Sequence, residues 1–174
     1  MNKFNLLYCH DEGYNLQTFV SINSILKNSQ SSTYDIHILH ENPDTFRDYY
    51  DRLISSPKIN EIFLYKFNDN DNFFPNISGK HVSAATYYRL FIENYLPKSL
   101  NSLIYLDSDV IAIKNVDEIF EKCKKEIKES KFTVSVSIEM IKINENHDVF
   151  KNLELSGNNY FNAGVMFIDY EKWN

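Results

Sequence analysis

The feature that most restricts this chain is the order in which its apolar runs change period. Short apolar runs at 4–9, 34–39, 59–67, 102–106, 132–138 and 164–169 read as strands. Between them lie segments with apolar residues at helical spacing, at 15–28, 43–55, 84–95 and 116–129, the third closed by Pro97. Several of the strands are continuously apolar, which requires cover on both faces. Strands of that kind alternating with helices predict an α/β fold, a mostly parallel sheet flanked by helices. The first helix should pack through Leu16, Phe19, Val20, Asn23, Ile25 and Leu26, and the second through Phe46, Tyr49, Tyr50, Leu53 and Ile54. The polar stretches 68–76 and 139–159 are expected to be loops or loosely patterned. Sheets of this type bind ligands beyond the carboxyl ends of their strands. Chemistry should therefore sit in the residues that directly follow a strand.

A chain of 174 residues with 43% hydrophobic content supports one core, so residues 1–174 are expected to form a single domain. The net charge of −6 offers no excess of cations for a nucleic-acid backbone, and no nucleic-acid partner is expected. An acidic protein that binds a phosphorylated ligand needs a metal ion or local donors to offset its own field. Cys9 and Cys123 form no C-x-x-C pattern and read as free thiols of a reducing compartment. The run 1–9 lacks the length and cleavage site of a signal peptide, and no apolar stretch approaches the roughly 20 residues of a membrane span. The expectation is a cytoplasmic protein, in which the sequon Asn76-Ile77-Ser78 stays unused. The chain stops just as residues 170–174 begin another helix. The fold is therefore expected to be incomplete at its C-terminus, the N-terminal portion of a longer domain. Oligomers through the uncovered surface and peripheral membrane association through a further C-terminal part belong to that expectation.

The densest chemistry lies in Ile104-Tyr105-Leu106-Asp107-Ser108-Asp109-Val110. A strand delivers Asp107 and Asp109 to the carboxyl edge of the sheet. Residues two apart on an extended segment point the same way, so both carboxylates can face one ion. Hard oxygen ligands suit Mn²⁺ or Mg²⁺, which can bridge to a diphosphate and stabilise charge on a departing nucleoside diphosphate. With only four glycines, the chain contains neither G-x-G-x-x-G nor a P-loop, which disfavours dinucleotide and P-loop sites.

Four segments, in order, resemble glycosyltransferase family eight, the retaining enzymes of the GT-A fold. They are Tyr8-Cys9-His10-Asp11-Glu12-Gly13-Tyr14, the run from His81 through Arg89 to Leu90, Tyr105-Leu106-Asp107-Ser108-Asp109, and Tyr160-Phe161-Asn162-Ala163-Gly164-Val165. The resemblance runs from Phe4 to Trp173 and implies a Rossmann-like GT-A domain. It also implies residue roles. Cys9, His10, Asp11 and Tyr14 would line the uracil and ribose pocket, with Asp11 bonding the base and Tyr14 stacking on it; Leu106 and Asp107 would complete the nucleotide site. Arg89, Asp107 and Asn162 would be the catalytic group. Together with Ala163 and Gly164 they would also contact the donor sugar, Asn162 to Gly164 forming a turn. His81 and Glu139 would face the acceptor. Asp107 and Asp109 would hold Mn²⁺, with Mg²⁺ as the substitute.

The implied reaction moves a hexose from UDP-glucose or UDP-galactose to a glycan or lipopolysaccharide-type acceptor hydroxyl, with retention. The sequence departs from the family at Gly13, where asparagine is common. It also lacks the C-terminal histidine motif that supplies the third metal ligand and the acidic–glutamine pair beneath the anomeric carbon. Two other readings stay open. One is a non-catalytic module that binds UDP or a partner. The other is an aspartate-dependent phosphohydrolase, whose Asp-x-Asp motif normally follows an early strand.

Overall fold

A computed structural model describes residues 2–68, 84–138 and 161–174. Six strands form one sheet: β1 (Asn2–His10), β2 (Ser32–His40), β3 (Ile59–Lys66), β4 (Ser102–Leu106), β5 (Val134–Ile138) and β6 (Phe161–Asp169), in the order β3-β2-β1-β4-β6-β5. The pairings β1–β2, β2–β3 and β1–β4 are parallel, as the apolar runs predict. β6 runs antiparallel to both β4 and β5. Continuous apolar runs favour a mostly parallel sheet but do not mark which strand reverses, so the direction of β6 was not visible in the pattern.

Alternation along each strand divides the core. Phe4, Leu6, Tyr8, Ile36, Ile38, Ile104, Leu106 and Phe167 project to one face. There they meet α1 (Asn15–Asn28), α2 (Arg47–Leu53) and α4 (Asp117–Glu129) through Ile22, Ile25, Leu53 and Phe120. Leu7, Cys9, Leu39, Tyr105 and Ile168 project to the other. They are covered by α3 (Ala85–Tyr88), the 3-10 segment Arg89–Asn94 and the short α5 (Tyr170–Trp173). Each fully buried Leu, Ile or Phe contributes about 1.5–3 kcal/mol.

Three helices differ from the sequence expectation. α1 does not bury Leu16 and Val20, which are 56% and 45% exposed; it buries Asn15, Thr18 and Ser21 with Ile22, Ile25 and Leu26. The small polar residues face inward because they bond to the sheet and to the loop after β4: Tyr8 Oη with Ser21 Oγ at 3.1 Å, and Thr18 Oγ1 to Ser108 Oγ at 2.9 Å. The expected helix 84–95 is one α-helical turn followed by 3-10 structure, kinked at Phe91. Phe67 pins it to the sheet by stacking on Tyr88, with ring centroids 3.9 Å apart. The second helix likewise opens with a 3-10 turn, Pro43–Phe46, in which Pro43 takes an entry position whose missing N–H costs nothing. Among the described residues no helix is long and apolar enough to cross a membrane.

Candidate functional site

β1 and β4 are parallel neighbours, so their carboxyl ends open on the same edge of the sheet. The cleft there is lined by Cys9, His10, Tyr14, Ala85, Thr86, Arg89, Tyr105, Asp107, Ser108 and Asp109. Of the nucleotide and metal candidates, Cys9, His10, Tyr14, Asp107 and Asp109 thus converge, joined by Arg89.

Asp11 follows β1 and caps a 3-10 turn, Glu12–Tyr14, its Oδ1 accepting from Gly13 N at 3.1 Å. That turn swings the half-buried Tyr14 ring to the cleft wall, where α1 begins. His10 lies on the α1 face, packed edge-on against His40 at 4.7 Å and against Phe46 at 5.5 Å. Burial, and then the neighbouring His40, lower its pKa to about 4, so the ring is neutral. The Asp11 carbonyl can only accept, so His10 Nδ1, 3.1 Å away, carries the proton. His40 has the opposite tautomer. Its Nδ1 accepts from Asn42 N at 2.8 Å, and its Nε2 therefore donates to Asn15 Oδ1 at 3.0 Å.

Beyond β4 the chain does not continue extended. Val110 N donates to Asp107 O at 3.1 Å and closes a turn over Asp107-Ser108-Asp109. The two carboxylates reach the same cleft through this turn rather than through the two-residue strand repeat. Ser108 between them turns to the α1 face and is buried. The Leu106 side chain is in the core, which leaves only its backbone for a ligand.

Asp107 is held on several sides. Tyr105, two residues earlier on the same strand face, donates its hydroxyl to Asp107 Oδ1 at 2.6 Å. Burial foremost raises the Tyr105 pKa, and its hydroxyl stays protonated as a donor. Arg89 Nη1 lies 3.6 Å from the same carboxylate oxygen, and its guanidinium sits 4.7 Å above the Tyr105 ring. Arg89 also donates from Nε to Thr86 O at 2.9 Å and from Nη1 to Ala163 O at 3.1 Å. Cys9 lies beneath this group, its thiol pKa raised by burial, with Arg89 opposing and Asp107 reinforcing the shift.

Asn162, Ala163 and Gly164 are not the turn expected from sequence; they belong to β6. The β5–β6 register steps from Val136↔Met166 to Ser137↔Asn162, so residues 163–165 fall out of that ladder. In this irregular stretch the Ala163 carbonyl accepts from Arg89, while Gly164 O accepts from Asp107 N at 2.8 Å and extends the β4 side of the ladder. Gly164 sits where a side chain would crowd the site. A Cβ there would stand 3.0 Å from Asp107 Oδ2 and 3.1 Å from Asn162 Oδ1. The expected acceptor residues His81 and Glu139 lie outside the described residues.

Tyr105, Thr86 and Ser108 lie in the segments that carry the resemblance, but the sequence gives none of them a role. Tyr105 was hidden inside an apolar run, although the two-residue repeat puts it on the face of Asp107. Among the described residues no three His, Cys, Asp or Glu side chains form a metal-sized group. Two hard carboxylates with room around them fit a divalent cation that takes its other ligands from water and a diphosphate.

The family model for Glycosyl transferase family 8 matches residues 5–174. The chain is 26% identical over 171 residues to a lipopolysaccharide 1,2-glucosyltransferase of Escherichia coli, covering 98% of this chain and 48% of that protein. It is 27% identical over 173 residues to a putative glycosyltransferase of Haemophilus influenzae, covering 97% and 49%. It spans about half the length of these relatives. Among solved structures, the galactosyltransferase LgtC with donor and acceptor sugar analogs superposes with a TM-score of 0.77 at 21% identity, over 98% of this chain and 59% of that one. The glycosyltransferase GlyE of Streptococcus pneumoniae gives 0.63 at 18% identity, over 99% and 36%.

Proposed function

The chain belongs to glycosyl transferase family 8, and on that premise we propose that it forms the donor-binding part of a retaining hexosyltransferase. The donor is a UDP-sugar, UDP-glucose or UDP-galactose, and the acceptor is a carbohydrate hydroxyl of lipopolysaccharide type. The lipopolysaccharide glucosyltransferase relative and the galactosyltransferase neighbour support that choice. The observation that carries the proposal is the convergence of Asp107 and Asp109 with Tyr14 and Arg89 in one cleft at the carboxyl edge of the sheet.

In this reading Tyr14 offers an aromatic face to the base, and the edge of β1 at Cys9 to Asp11 borders base and ribose. Asp107 and Asp109 hold Mn²⁺ or Mg²⁺. When bound, that ion offsets the charge of the diphosphate and of the leaving group. Arg89 and Tyr105 keep Asp107 in place, and the backbone from Asn162 to Gly164 borders the sugar. The aspartate-dependent phosphohydrolase gives way to the family membership. A second reading, a UDP-binding module without turnover, is favoured by one observation: the cleft brings two carboxylates together and no third metal ligand among the described residues.

Calorimetric titration with UDP in Mn²⁺ and then in EDTA, with ADP as control and Asp109→Ala as variant, tests the proposal. Binding should prefer UDP, require the cation and vanish in the variant. Equal binding of ADP, or binding untouched by Asp109→Ala, would refute it. Transfer of radiolabelled hexose to a carbohydrate acceptor separates the enzyme from the binding module.

A further inference from the structure

The inner face of α1 carries hydroxyl and amide groups where a helix on a sheet ordinarily carries aliphatic ones. The segment after the acidic pair runs along these groups and is tied to them in sequence. Thr18 Oγ1 donates to Ser108 Oγ at 2.9 Å. Ser24 Oγ accepts from Ala112 N at 2.9 Å, and Asn28 Nδ2 donates to Ala112 O at 2.9 Å. Asn28 O then accepts from Val116 N at 3.3 Å. Helix positions 18, 24 and 28 thus meet loop positions 108, 112 and 116 in the same order.

The contact nearest the cleft differs from the others because it lies between two functional candidates. Thr18 is fully buried and does not line the cleft. Ser108 is buried with its hydroxyl on Thr18, and it borders the cleft between Asp107 and Asp109. An apolar pair at this point would fix only a separation. A hydroxyl–hydroxyl bond also fixes direction, and thereby the rotation of the turn that aims the two carboxylates.

We propose that Thr18, acting through Ser108, is a positioning residue for the cation- and nucleotide-binding turn. This rests on the function proposed above. Ligands held in advance by packed, hydrogen-bonded neighbours bind without a further ordering cost. A loosened turn must be ordered by the ligand itself.

The test uses Thr18→Val, which keeps shape and removes the hydroxyl, Thr18→Ser, which restores it, Ser108→Ala, and the double variant Thr18→Val with Ser108→Ala. Three measurements are made on each: UDP affinity in Mn²⁺ by calorimetry, thermal midpoint, and ligand-free amide exchange of residues 108–112. Thr18→Val should weaken UDP binding about three- to tenfold, the range for one intramolecular hydrogen bond. It should speed exchange at Asp109, Val110 and Ala112 while leaving β1 and β4 unchanged. Thr18→Ser should return both to within about twofold of wild type, and the double variant should bind no worse than Ser108→Ala, because one bond cannot be lost twice. A lower thermal midpoint with unchanged affinity and exchange would make Thr18 merely structural and overturn the proposal. If the wild type binds no UDP in Mn²⁺, the function proposed above fails and takes this inference with it. If the wild type binds and Thr18→Val binds equally well, the positioning role alone is refuted.

Discussion

Gly164→Ala separates the stability of the fold from the geometry of the site. The new Cβ would lie 3.0 Å from Asp107 Oδ2, well inside carbon–oxygen contact, so something must yield by a few tenths of an ångström. The backbone cannot yield cheaply, because Gly164 O accepts from Asp107 N at 2.8 Å. The carboxylate must therefore rotate, and its other oxygen is held by Tyr105 Oη at 2.6 Å and by Arg89 at 3.6 Å. Hydrogen bonds to charged groups are worth about 1.5–3 kcal/mol. Partial loss at a carboxylate that is 39% exposed puts the cost at the lower end, about 1.5 kcal/mol, or roughly tenfold in affinity. The fold should not suffer equally. Gly164 lies in β6, and replacing glycine in a compatible conformation stabilises by about 0.4–1 kcal/mol through the unfolded chain. The expected result is a UDP–Mn²⁺ affinity about tenfold weaker with a thermal midpoint unchanged or raised. Calorimetry and circular dichroism on the same preparation measure both. Wild-type affinity in the variant would show that Asp107 moves freely and that its tether to Tyr105 and Arg89 does not position it.

Tyr105→Phe keeps the buried ring and removes only the donor to Asp107, so UDP–Mn²⁺ affinity should fall about tenfold with under about 1 kcal/mol lost from stability; a calorimetric Kd equal to wild type would exclude the positioning role. Asp117→Ala should be the costlier change for the fold. Burial opposes the Asp117 charge, but Ser31 N at 2.9 Å, Ser29 Oγ at 2.7 Å and Gln30 N at 2.8 Å outweigh it and hold the pKa far below the carboxylate range. Losing them should cost about 2–4 kcal/mol, a fall in thermal midpoint on the order of 5–15 °C; a drop below about 2 °C would refute the account. The native carboxylate's contribution is full above about pH 4 and is lost as pH falls through its depressed folded value. Burial is the main cause that lowers His10, His37 and His40 to about 4. Their contribution is full above about pH 6.5 and declines toward pH 4, at up to about 1.4 kcal/mol per pH unit for each. Denaturant unfolding between pH 4.5 and 7 measures that slope, and a flat profile would contradict it.

The sequence exposed the site through its most local features. β4 ends where its apolar run stops, and Asp107 follows at once, so the acidic pair could be placed at a strand's carboxyl edge without coordinates. Cys9 and Tyr14, at and just after the end of β1, were singled out by the family resemblance instead. What stayed hidden depends on contacts between distant segments. Thr18 and Ser21 read as the polar side of a helix, yet they are buried because Ser108 in the turn after β4 and Tyr8 in β1 supply their hydrogen-bond partners. A periodicity count assigns such residues to solvent, and it therefore rotated α1 toward Leu16 and Val20. Asn162 to Gly164 were expected as a turn from the family resemblance, and asparagine and glycine suit turns. Pairing of Asn162 with Ser137 of β5 and the bond from Asp107 N to Gly164 O hold these residues in β6 instead.

Arg89 carries the last consequence. As the guanidinium of the cleft it is the natural partner for a diphosphate, yet its bonds are already distributed. It joins α3 through Thr86, β6 through Ala163 and β4 through Tyr105 and Asp107. A guanidinium locked among these groups acts on the ligand through Asp107 rather than by direct neutralisation. Asp107 and Asp109 then outweigh it, in a chain whose net charge is −6. A diphosphate would enter against that field unless a divalent cation came with it. UDP affinity in EDTA is accordingly expected to be at least about a hundredfold weaker than in Mn²⁺, the size of about 2.7 kcal/mol. Arg89→Lys should weaken binding in Mn²⁺ despite keeping the charge, since an ammonium cannot span Thr86, Ala163 and the Tyr105 face together. Tight UDP binding in EDTA would mean that Arg89 leaves its carbonyl partners for the phosphate, and wild-type binding by Arg89→Lys would mean that charge, not the fork, is what the site uses.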